Sequence, residues 1–436
     1  MKKIALFFGL ISTIIFTFSC KKENINNDDI SKEPVIEWQK SFGGSDNDVA
    51  KSIKQTNDGG FIVVGYTESI DYDITENFGV WDYWIIKLDQ SGEIEWKKTL
   101  GGSWKDDPFS IQQTNDGGYI IAGSSNSNDG HVTGFHNTNG SSDYWIVKLG
   151  VSGNIDWTKC YGGSSHDEAT SIQQTSDGGY IVCGYTNSDD GNVTTHIQLA
   201  DWWIVKIDVV GNIEWEKTYG DFDSDIPYSI VQIENGNYII AGYTHTNYNE
   251  DNYWIIKIDS IGNLLFEKSL GGSDRDIARS INQTSDGGFI ICGYSNSNDG
   301  NVSNPDKEYI YWVVKLNVSG TMEWEKSYGG YDWERANSIR QTIDGGYIIA
   351  GQSSSNNGDV SMNNGSSDFW IVKLDNTGNM KWEKSLGGSN FDEAYSIEQT
   401  TDGGYIIAGY SESSDGDLST NYGEYDFWIV KLNVIK

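Results

Sequence analysis

The 436-residue sequence predicts an all-β fold made of seven copies of one unit. Two series of aromatic residues recur at spacings of 51 to 61 residues, and the segments between them show short apolar runs without a helical period. Asp-Gly turn signals separate the runs, so that each copy holds four strands. Repeats of this kind are typical of a β-propeller, in which neighbouring sheets cover each other's faces. The first series is Trp84, Trp145, Trp203, Trp254, Trp312, Trp370 and Trp428, and the second is Trp38, Trp96, Trp157, Trp215, Phe266, Trp324 and Trp382.

The last copy shows how the four strands are identified. A first strand is expected at 394–400, and Asp402-Gly403 then signals a hairpin because both residue types tolerate positive φ. Residues 404–411 form a nearly continuous apolar run, which is typical of a strand buried on both faces. The third strand is expected at 426–432, after a polar loop, and the preceding copy shows the fourth strand at 380–386.

The ends of the repeat are out of phase. The last copy stops in the turn before its fourth strand, whereas residues 35–42 carry the sequence of a fourth strand ahead of the first copy. We therefore expect 35–42 to complete the seventh blade together with 389–436. This pairing closes the ring without leaving an open sheet edge, and the propeller spans residues 35–436.

The N-terminal residues predict export. Residues 1–20 combine two lysines, an apolar run and the ending Ser19-Cys20, and they are too short for a membrane span. This segment resembles a bacterial lipoprotein signal peptide, which implies lipidation of Cys20. Residues 21–34 are polar and predict a flexible tether. The resemblance implies a monomer held at the bacterial outer membrane or cell surface, with membrane contact through the lipid alone.

The turn before each fourth strand also carries a resemblance. Asp89, Gly92 and Trp96 have the spacing of the tryptophan-docking motif of quinoprotein-like propellers. The whole unit is similar to the repeats of exported bacterial β-propeller lipoproteins, most of which are uncharacterised. The resemblance implies the fold and gives no activity or cofactor. The second aromatic series is expected to be structural, with each large ring packed between adjacent blades.

Chain connectivity divides the loops between two faces. The loops between blades and the long loops between second and third strands lie on one side, called here the loop face. The hairpins and the third-to-fourth strand turns lie on the other, the hairpin face. Because the loop face carries nearly all of the loop length, a binding site is expected there.

One acidic residue recurs in every inter-blade loop and is expected near the mouth of the central channel. A structural interpretation has each carboxylate accept hydrogen bonds from backbone N–H groups of its Gly-Gly turn. The alternative is a ligand or cation site on the axis. The seven residues are Asp48, Asp106, Asp167, Asp225, Asp276, Glu334 and Asp392.

Polar turns ending in glycine recur in five of the long loops of the loop face. Oxygen-rich turns of this kind are able to ligate calcium, although these lack a bidentate glutamate. Turn formation is the alternative, and no other metal or cofactor is expected. The candidate calcium ligands are Asp129, Asp190, Asp299 and Asp415.

The four arginines fall in two successive copies, where the repeat departs from its sisters. Arg275 and Arg335 lie in inter-blade loops beside Trp333, which favours an anion or sugar site with arginine as a forked donor. The alternative is that both arginines neutralise neighbouring acids such as Asp274 and Glu334.

The charge and the motifs narrow the function. A net charge of −33 argues against nucleic acid as a partner, because its phosphates require a positive field. The sequence has no nucleophile-elbow, phosphate-loop or zinc pattern. We therefore expect a non-catalytic binding or scaffolding module that presents its loop face to a protein or glycan at the cell envelope. The alternative is a carbohydrate-active hydrolase or lyase with its site at the channel mouth.

Overall fold

A computed structural model gives the fold of this protein. Its described strands form seven four-stranded antiparallel sheets, which confirms the predicted all-β, seven-bladed propeller. Within the described part, no helix is long and apolar enough to cross a bilayer. The signal segment 1–20 with Cys20, and most of the tether 21–34, lie outside the described residues. The structure describes residues 33–137, 140–197, 199–247, 250–303 and 308–434.

Each blade runs from an innermost strand at the axis to an outermost strand. The innermost strands are β2 (Asp48–Gln55), β6 (Asp106–Gln113), β10 (Asp167–Gln174), β14 (Ile226–Gln232), β18 (Asp276–Gln283), β22 (Glu334–Gln341) and β26 (Asp392–Gln399). The second strands are β3 (Phe61–Thr67), β7 (Tyr119–Ser125), β11 (Tyr180–Thr186), β15 (Tyr238–Asn247), β19 (Phe289–Ser295), β23 (Tyr347–Ser353) and β27 (Tyr405–Ser411).

The third and fourth strands complete each blade on the outside. The third strands are β4 (Asp82–Leu88), β8 (Asp143–Leu149), β12 (Asp201–Ile207), β16 (Glu250–Ile258), β20 (Ile310–Leu316), β24 (Asp368–Leu374) and β28 (Asp426–Asn433). The outermost strands are β5 (Ile94–Leu100), β9 (Ile155–Tyr161), β13 (Ile213–Tyr219), β17 (Leu264–Leu270), β21 (Met322–Tyr328), β25 (Met380–Leu386) and β1 (Val35–Phe42). A short 3₁₀ turn, Glu234–Gly236, replaces the Asp-Gly-Gly hairpin of the fourth blade.

The ring closes as the phase of the repeat predicts. Strand β1 pairs antiparallel with β28, with Val35 opposite Asn433 and Phe42 opposite Phe427. The seventh sheet therefore has the order β1-β28-β27-β26 and joins both ends of the propeller in one blade. Its innermost strand β26 contacts β2 of the first blade, which completes the ring around the axis.

The blades are held together by aromatic pairs from their third strands. In each pair the residue before a first-series tryptophan packs on the first-series tryptophan of the next blade, with ring centroids 4.4 to 4.6 Å apart. Apart from Trp254, which is partly buried, these rings are almost fully buried, so apolar burial acts across the blade boundaries. The pairs are Tyr83–Trp145, Tyr144–Trp203, Trp202–Trp254, Tyr253–Trp312, Tyr311–Trp370, Phe369–Trp428 and Phe427–Trp84.

The second aromatic series also lies between blades. Trp96 of the first blade has its ring 5.7 Å from that of Tyr119 in the second blade. It covers the turn glycine Gly153, where a Cβ atom would lie only 2.9 Å from the Trp96 ring. Gly153 has φ of 74°, so both its conformation and this close approach require glycine. The equivalent turn glycines of other blades are covered in the same way by Trp38, Trp157, Trp215, Phe266 and Trp324.

Candidate functional site: the axial channel and its mouth

The predicted acidic residues of the inter-blade loops are buried inside their turns. Each carboxylate accepts a backbone N–H from the residue four positions earlier, at 2.7 to 3.0 Å. Asp106 also accepts the hydroxyls of Ser125 and Ser127. The seven carboxylates are therefore held in the walls of the turns, where they fix the loop conformation. They are Asp48, Asp106, Asp167, Asp225, Asp276, Glu334 and Asp392.

A second buried carboxylate stands beside most of these acids. At the junction of the first and second blades, Asp82 and Asp106 both approach Gly101. A Cβ atom built on this glycine would lie 1.9 Å from Asp82 Oδ1 and 2.7 Å from Asp106 Oδ2. Burial, together with the nearby charge of Asp82, raises the pKa of Asp106 to about 7, and burial raises the pKa of Asp82 to about 6. These groups consequently change protonation near neutral pH.

The candidate calcium ligands hold neighbouring loops in place. Asp129 Oδ1 accepts the backbone N–H of Ser103 at 2.7 Å, and its Oδ2 accepts the Ser103 hydroxyl at 2.6 Å. Within the described residues, no group of three or more His, Cys, Asp or Glu side chains gathers as a metal site would require. The equivalent acceptors in other blades are Asp190, Asp299 and Asp415, each bound to the N–H of a loop serine.

The innermost strands line a channel along the propeller axis with a volume of about 320 Å³. Each of them has a β-bulge at the same place, between a small residue or proline and a serine. Bulges re-aim side chains and are frequent beside functional sites. The serines are constant in all copies, whereas the bulged residue differs in nearly every one. The bulged residues, which all line the channel, are Lys51, Phe109, Thr170, Tyr228, Arg279, Asn337 and Tyr395.

Two of the bulged residues are cations that face aromatic rings. Lys51 Nζ lies 4.2 Å from the ring centroid of Tyr395, and the Arg279 guanidinium lies 4.0 Å from that of Tyr228. In the described part of the chain neither cation is within ion-pair distance of a carboxylate, and Arg279 Nε is buried without a hydrogen-bond partner. The channel wall therefore carries two cations that meet no described carboxylate at ion-pair distance, although the charge of Lys51 still lowers the pKa of Asp107 and Glu168.

A second layer of charge lies nearer to the hairpin face. Lys54 Nζ and Glu398 Oε1 form an ion pair of 2.5 Å, and Arg340 donates to the carbonyl of Ile339 at 2.8 Å. Burial favours the protonated form of Glu398, but the charges of Lys54 and Arg340 outweigh it and lower the pKa of Glu398. One carboxylate thus faces the charges of two cations, and burial, with a further contribution from the charge of Arg340, lowers the pKa of Lys54.

The structure separates the two arginines that the sequence places at the mouth. Arg335 lies with Trp333, its guanidinium 5.1 Å from the indole centroid and 5.6 Å from that of Tyr309. Arg275 instead pairs with Asp251 at 3.3 Å, and half of its side chain is exposed. The candidate cluster is therefore Arg335 and Trp333 with Tyr309, and Arg275 belongs to a neighbouring ion pair.

Carboxylates occupy the opposite part of the mouth. Glu168 and Asp107 lie near each other, and burial followed by their mutual repulsion raises the pKa of Glu168 to about 8. Burial also raises the pKa of Asp107 to about 6, against the lowering effect of Lys51. His166 Nε2 is 3.9 Å from Glu168, so a titratable group flanks this pair. The mouth is consequently acidic on the second and third blades and cationic and aromatic on the fifth and sixth.

The sequence alone did not indicate the ring of bulged residues that lines the channel. Lys51 and Tyr395 look like ordinary strand residues, and their role depends on a bulge that pattern alone does not reveal. One feature of the sequence does indicate this ring: the residue before a constant serine of the first strand changes from copy to copy. In an array of repeats, such a position is free to serve binding because it is not needed for packing.

No protein-family model matches the sequence, and no curated protein matches it. Among solved structures, the chain is similar to the Neurospora crassa Pan2 WD40 domain, with 12% identity, 87% of this chain and 88% of that chain covered, and a TM-score of 0.47. It is also similar to Sqt1 from Chaetomium thermophilum, with 10% identity, coverage of 92% and 99%, and a TM-score of 0.45. A third structure is BBS1N in complex with ARL6DN, with 8% identity, coverage of 91% and 96%, and a TM-score of 0.46. At these values the similarity concerns general architecture and assigns no activity.

Proposed function

We propose that this protein is a non-catalytic binding module that presents its loop face to a protein partner at a cell envelope. The observation that carries the proposal is a set of large aromatic side chains exposed on the inter-blade loops, each 45% to 71% exposed. Aromatic residues are enriched in protein interfaces and dominate their binding energy. The set comprises Trp104, Phe222, Tyr331, Trp333 and Phe391.

These aromatic residues stand where the copies differ. Where Trp104 lies, the sister loops have Asp46, Ser165 and other small polar residues. Trp104 also borders a concavity of about 450 Å³ that Val80 and Phe135 help to line. A large exposed ring beside an apolar recess gives a partner both an anchor and a pocket.

The position of the tether supports the use of the loop face. Strand β1 starts at Val35 opposite Asn433, where β28 ends, and this end of the blade belongs to the hairpin face. A lipid on Cys20 would therefore hold the hairpin face towards the membrane and leave the loop face turned away. A flexible chain of about 14 residues spans roughly 20 Å on average, so a tether of the predicted kind would leave the loop face accessible to a partner.

The proposal is tested by cross-linking in the cells from which the protein comes. A photoreactive amino acid replaces Trp104 in one variant, Trp333 in a second and Ile343 in a third. Ile343 serves as the matched control, because it is a 69% exposed apolar residue on the hairpin face. We expect one protein to be captured from the first two positions and not from the third.

The contribution of each aromatic residue to partner binding is then measured by replacing it with the residue found at the same position of another inter-blade loop. Trp104→Ser and Trp333→Ser take the residues found at Ser165 and Ser224, so the loops should keep their conformation. Both should weaken binding of the captured protein at least tenfold, and Ile343→Ser should leave it unchanged. Equal binding by all three variants would refute the loop face as the interface, and capture of glycan without protein would replace the proposed partner class.

Hydrolysis of a glycan is the second candidate, and the Glu168–Asp107 pair favours it. A carboxyl group with a pKa of about 8 stays protonated at neutral pH and is able to act as a general acid beside an ionised carboxylate. A panel of envelope polysaccharides tests this candidate by release of reducing ends. Activity that Glu168→Gln abolishes would establish the enzyme, and no release by the native protein would exclude it for that panel.

A further inference from the structure

We propose that the axial channel binds a small oxyanion, carried by a phosphate or carboxylate compound, between Lys51 and Arg279. This inference is independent of the loop-face partner, because the residues that carry it line the channel and not the exposed loops.

The charge of the channel wall is opposite to that of the protein. Four cations line the cavity against one carboxylate, Glu398, in a chain whose net charge is −33. Two of only four arginines in the sequence are among them. Burying like charges is costly unless they are paired, so a local excess of cations at an enclosed site indicates a bound anion. The cations are Lys51, Lys54, Arg279 and Arg340.

The cations form one continuous arc of the wall. Arg279 belongs to the fifth blade, Arg340 to the sixth, and Lys51 and Lys54 to the first, with Tyr395 of the seventh between them. The charge of Arg279 acts on the phenol of Tyr395, whose ring lies under Lys51 Nζ. Lys51, Tyr395 and Arg279 thus face a common volume, whereas Phe109 and Thr170 occupy the opposite wall.

The carboxylate nearer to the hairpin face does not pair with the two bulged cations, Lys51 and Arg279. Glu398 is engaged by Lys54 and by the charge of Arg340, so it is not available to the bulge cations. Arg279 retains a buried Nε without a hydrogen-bond partner in the described structure, while its guanidinium lies over the ring of Tyr228 and beside the phenol of Tyr294. Guanidinium presents several donors in a planar fork, which matches the paired oxygens of carboxylate and phosphate.

The cavity sets the size of the ligand. A volume of about 320 Å³ lies at the lower end of the range for small-molecule sites, and seven strands surround it. A folded segment of another protein does not fit there. Phosphate, sulfate and small carboxylates fit, and each offers oxygens to Lys51 and Arg279 together.

The test is calorimetric titration of the purified protein with inorganic phosphate, sulfate and citrate at low ionic strength. We expect saturable binding of at least one of the three, with a stoichiometry of one per chain. Comparison of phosphate with citrate decides whether the phosphate or the carboxylate group is preferred. Lys51→Met and Arg279→Met should each weaken that binding at least tenfold.

Two further variants control for the loss of a positive charge elsewhere on the protein and for misfolding of Arg279→Met. Lys268→Met removes an exposed cation from the outermost strand β17 and should leave the affinity unchanged. Arg279→Lys is used if Arg279→Met fails to fold. Because it retains a positive charge, it should keep the affinity for the anion within tenfold of that of the native protein. The proposal is overturned if the folded native protein shows no saturable binding of any of the three anions, or if Lys268→Met weakens it as much as Lys51→Met.

Discussion

Phe427 packs against Trp84 with ring centroids 4.6 Å apart, and this contact joins the seventh blade to the first. The same geometry holds at the other six boundaries, although here the two residues belong to the last and the first blade and lie 343 positions apart in the sequence. The blade that carries Phe427 is completed by β1, which pairs with β28. Ring closure therefore depends on residues 35–42 as well as on the aromatic contact.

Deleting residues 35–42 should destabilise the whole propeller. The deletion exposes the edge of β28 and removes Trp38, whose ring packs 5.8 Å from Phe61 of the first blade. Calorimetry should show one unfolding transition at a clearly lower temperature, because the seventh blade no longer braces the first. An unchanged melting temperature would contradict closure through this strand.

The inter-blade tyrosine hydroxyls should make a measurable contribution to stability. Tyr311 donates a buried hydrogen bond of 2.9 Å to the carbonyl of Trp370 in the next blade, whereas Phe427 packs on Trp84 without a hydroxyl. Tyr311→Phe should lower the free energy of unfolding by about 1 kcal/mol, since it removes one buried hydrogen bond and keeps the ring. Chemical denaturation measures this difference.

Tyr72→Phe is the matched control for that substitution, because Tyr72 is 67% exposed. It should change the free energy of unfolding by less than about 0.5 kcal/mol. Equal effects of the two substitutions would show that the hydroxyl of Tyr311 adds nothing beyond the packing of its ring.

The fold was predictable because its signals are local and repeated. Every hairpin, apolar run and docking aromatic occurs seven times or nearly so, and the phase of Trp38 alone predicts the closing strand. The candidate site was less predictable. For the acids represented by Asp106, the repeated Gly-Gly turn already favoured hydrogen bonds to the turn's backbone N–H groups, and Asp106 accepts the Gly102 N–H in this way. The bulge that directs Lys51 and Arg279 into the channel depends on strand register, which the sequence pattern does not display.

Replacing Cys20 tests the proposed lipid anchor. Cys20→Ser removes the thiol that a lipid would modify and should shift the protein from the membrane fraction to the soluble fraction of exported proteins. Metabolic labelling with a fatty acid should mark the native protein and not the variant. Continued membrane fractionation of Cys20→Ser, with the label absent from both proteins, would refute lipid anchoring.

The buried acids of the inter-blade turns should make the protein more stable at mildly acidic pH than at alkaline pH. Burial raises the pKa of Asp48 and Asp106 from 3.8 to about 7 in the folded state. The folded protein therefore binds more protons than the unfolded chain between these values, and stability is lost as the pH rises through 7. Hairpin acids such as Asp116 and Asp286, with pKa lowered to about 2, act in the opposite direction below pH 4.

The melting temperature should therefore be highest near pH 4 to 5 and fall between pH 5 and pH 8. Asp106→Asn keeps an oxygen that accepts the Gly102 N–H but removes the titration, so it should flatten this fall. Asp208→Asn is the control, because Asp208 is exposed and its hydrogen bonds to Asn212 lower its pKa. It should leave the profile between pH 5 and pH 8 unchanged, and a native profile that rises towards pH 8 would contradict the raised pKa values of the turn acids.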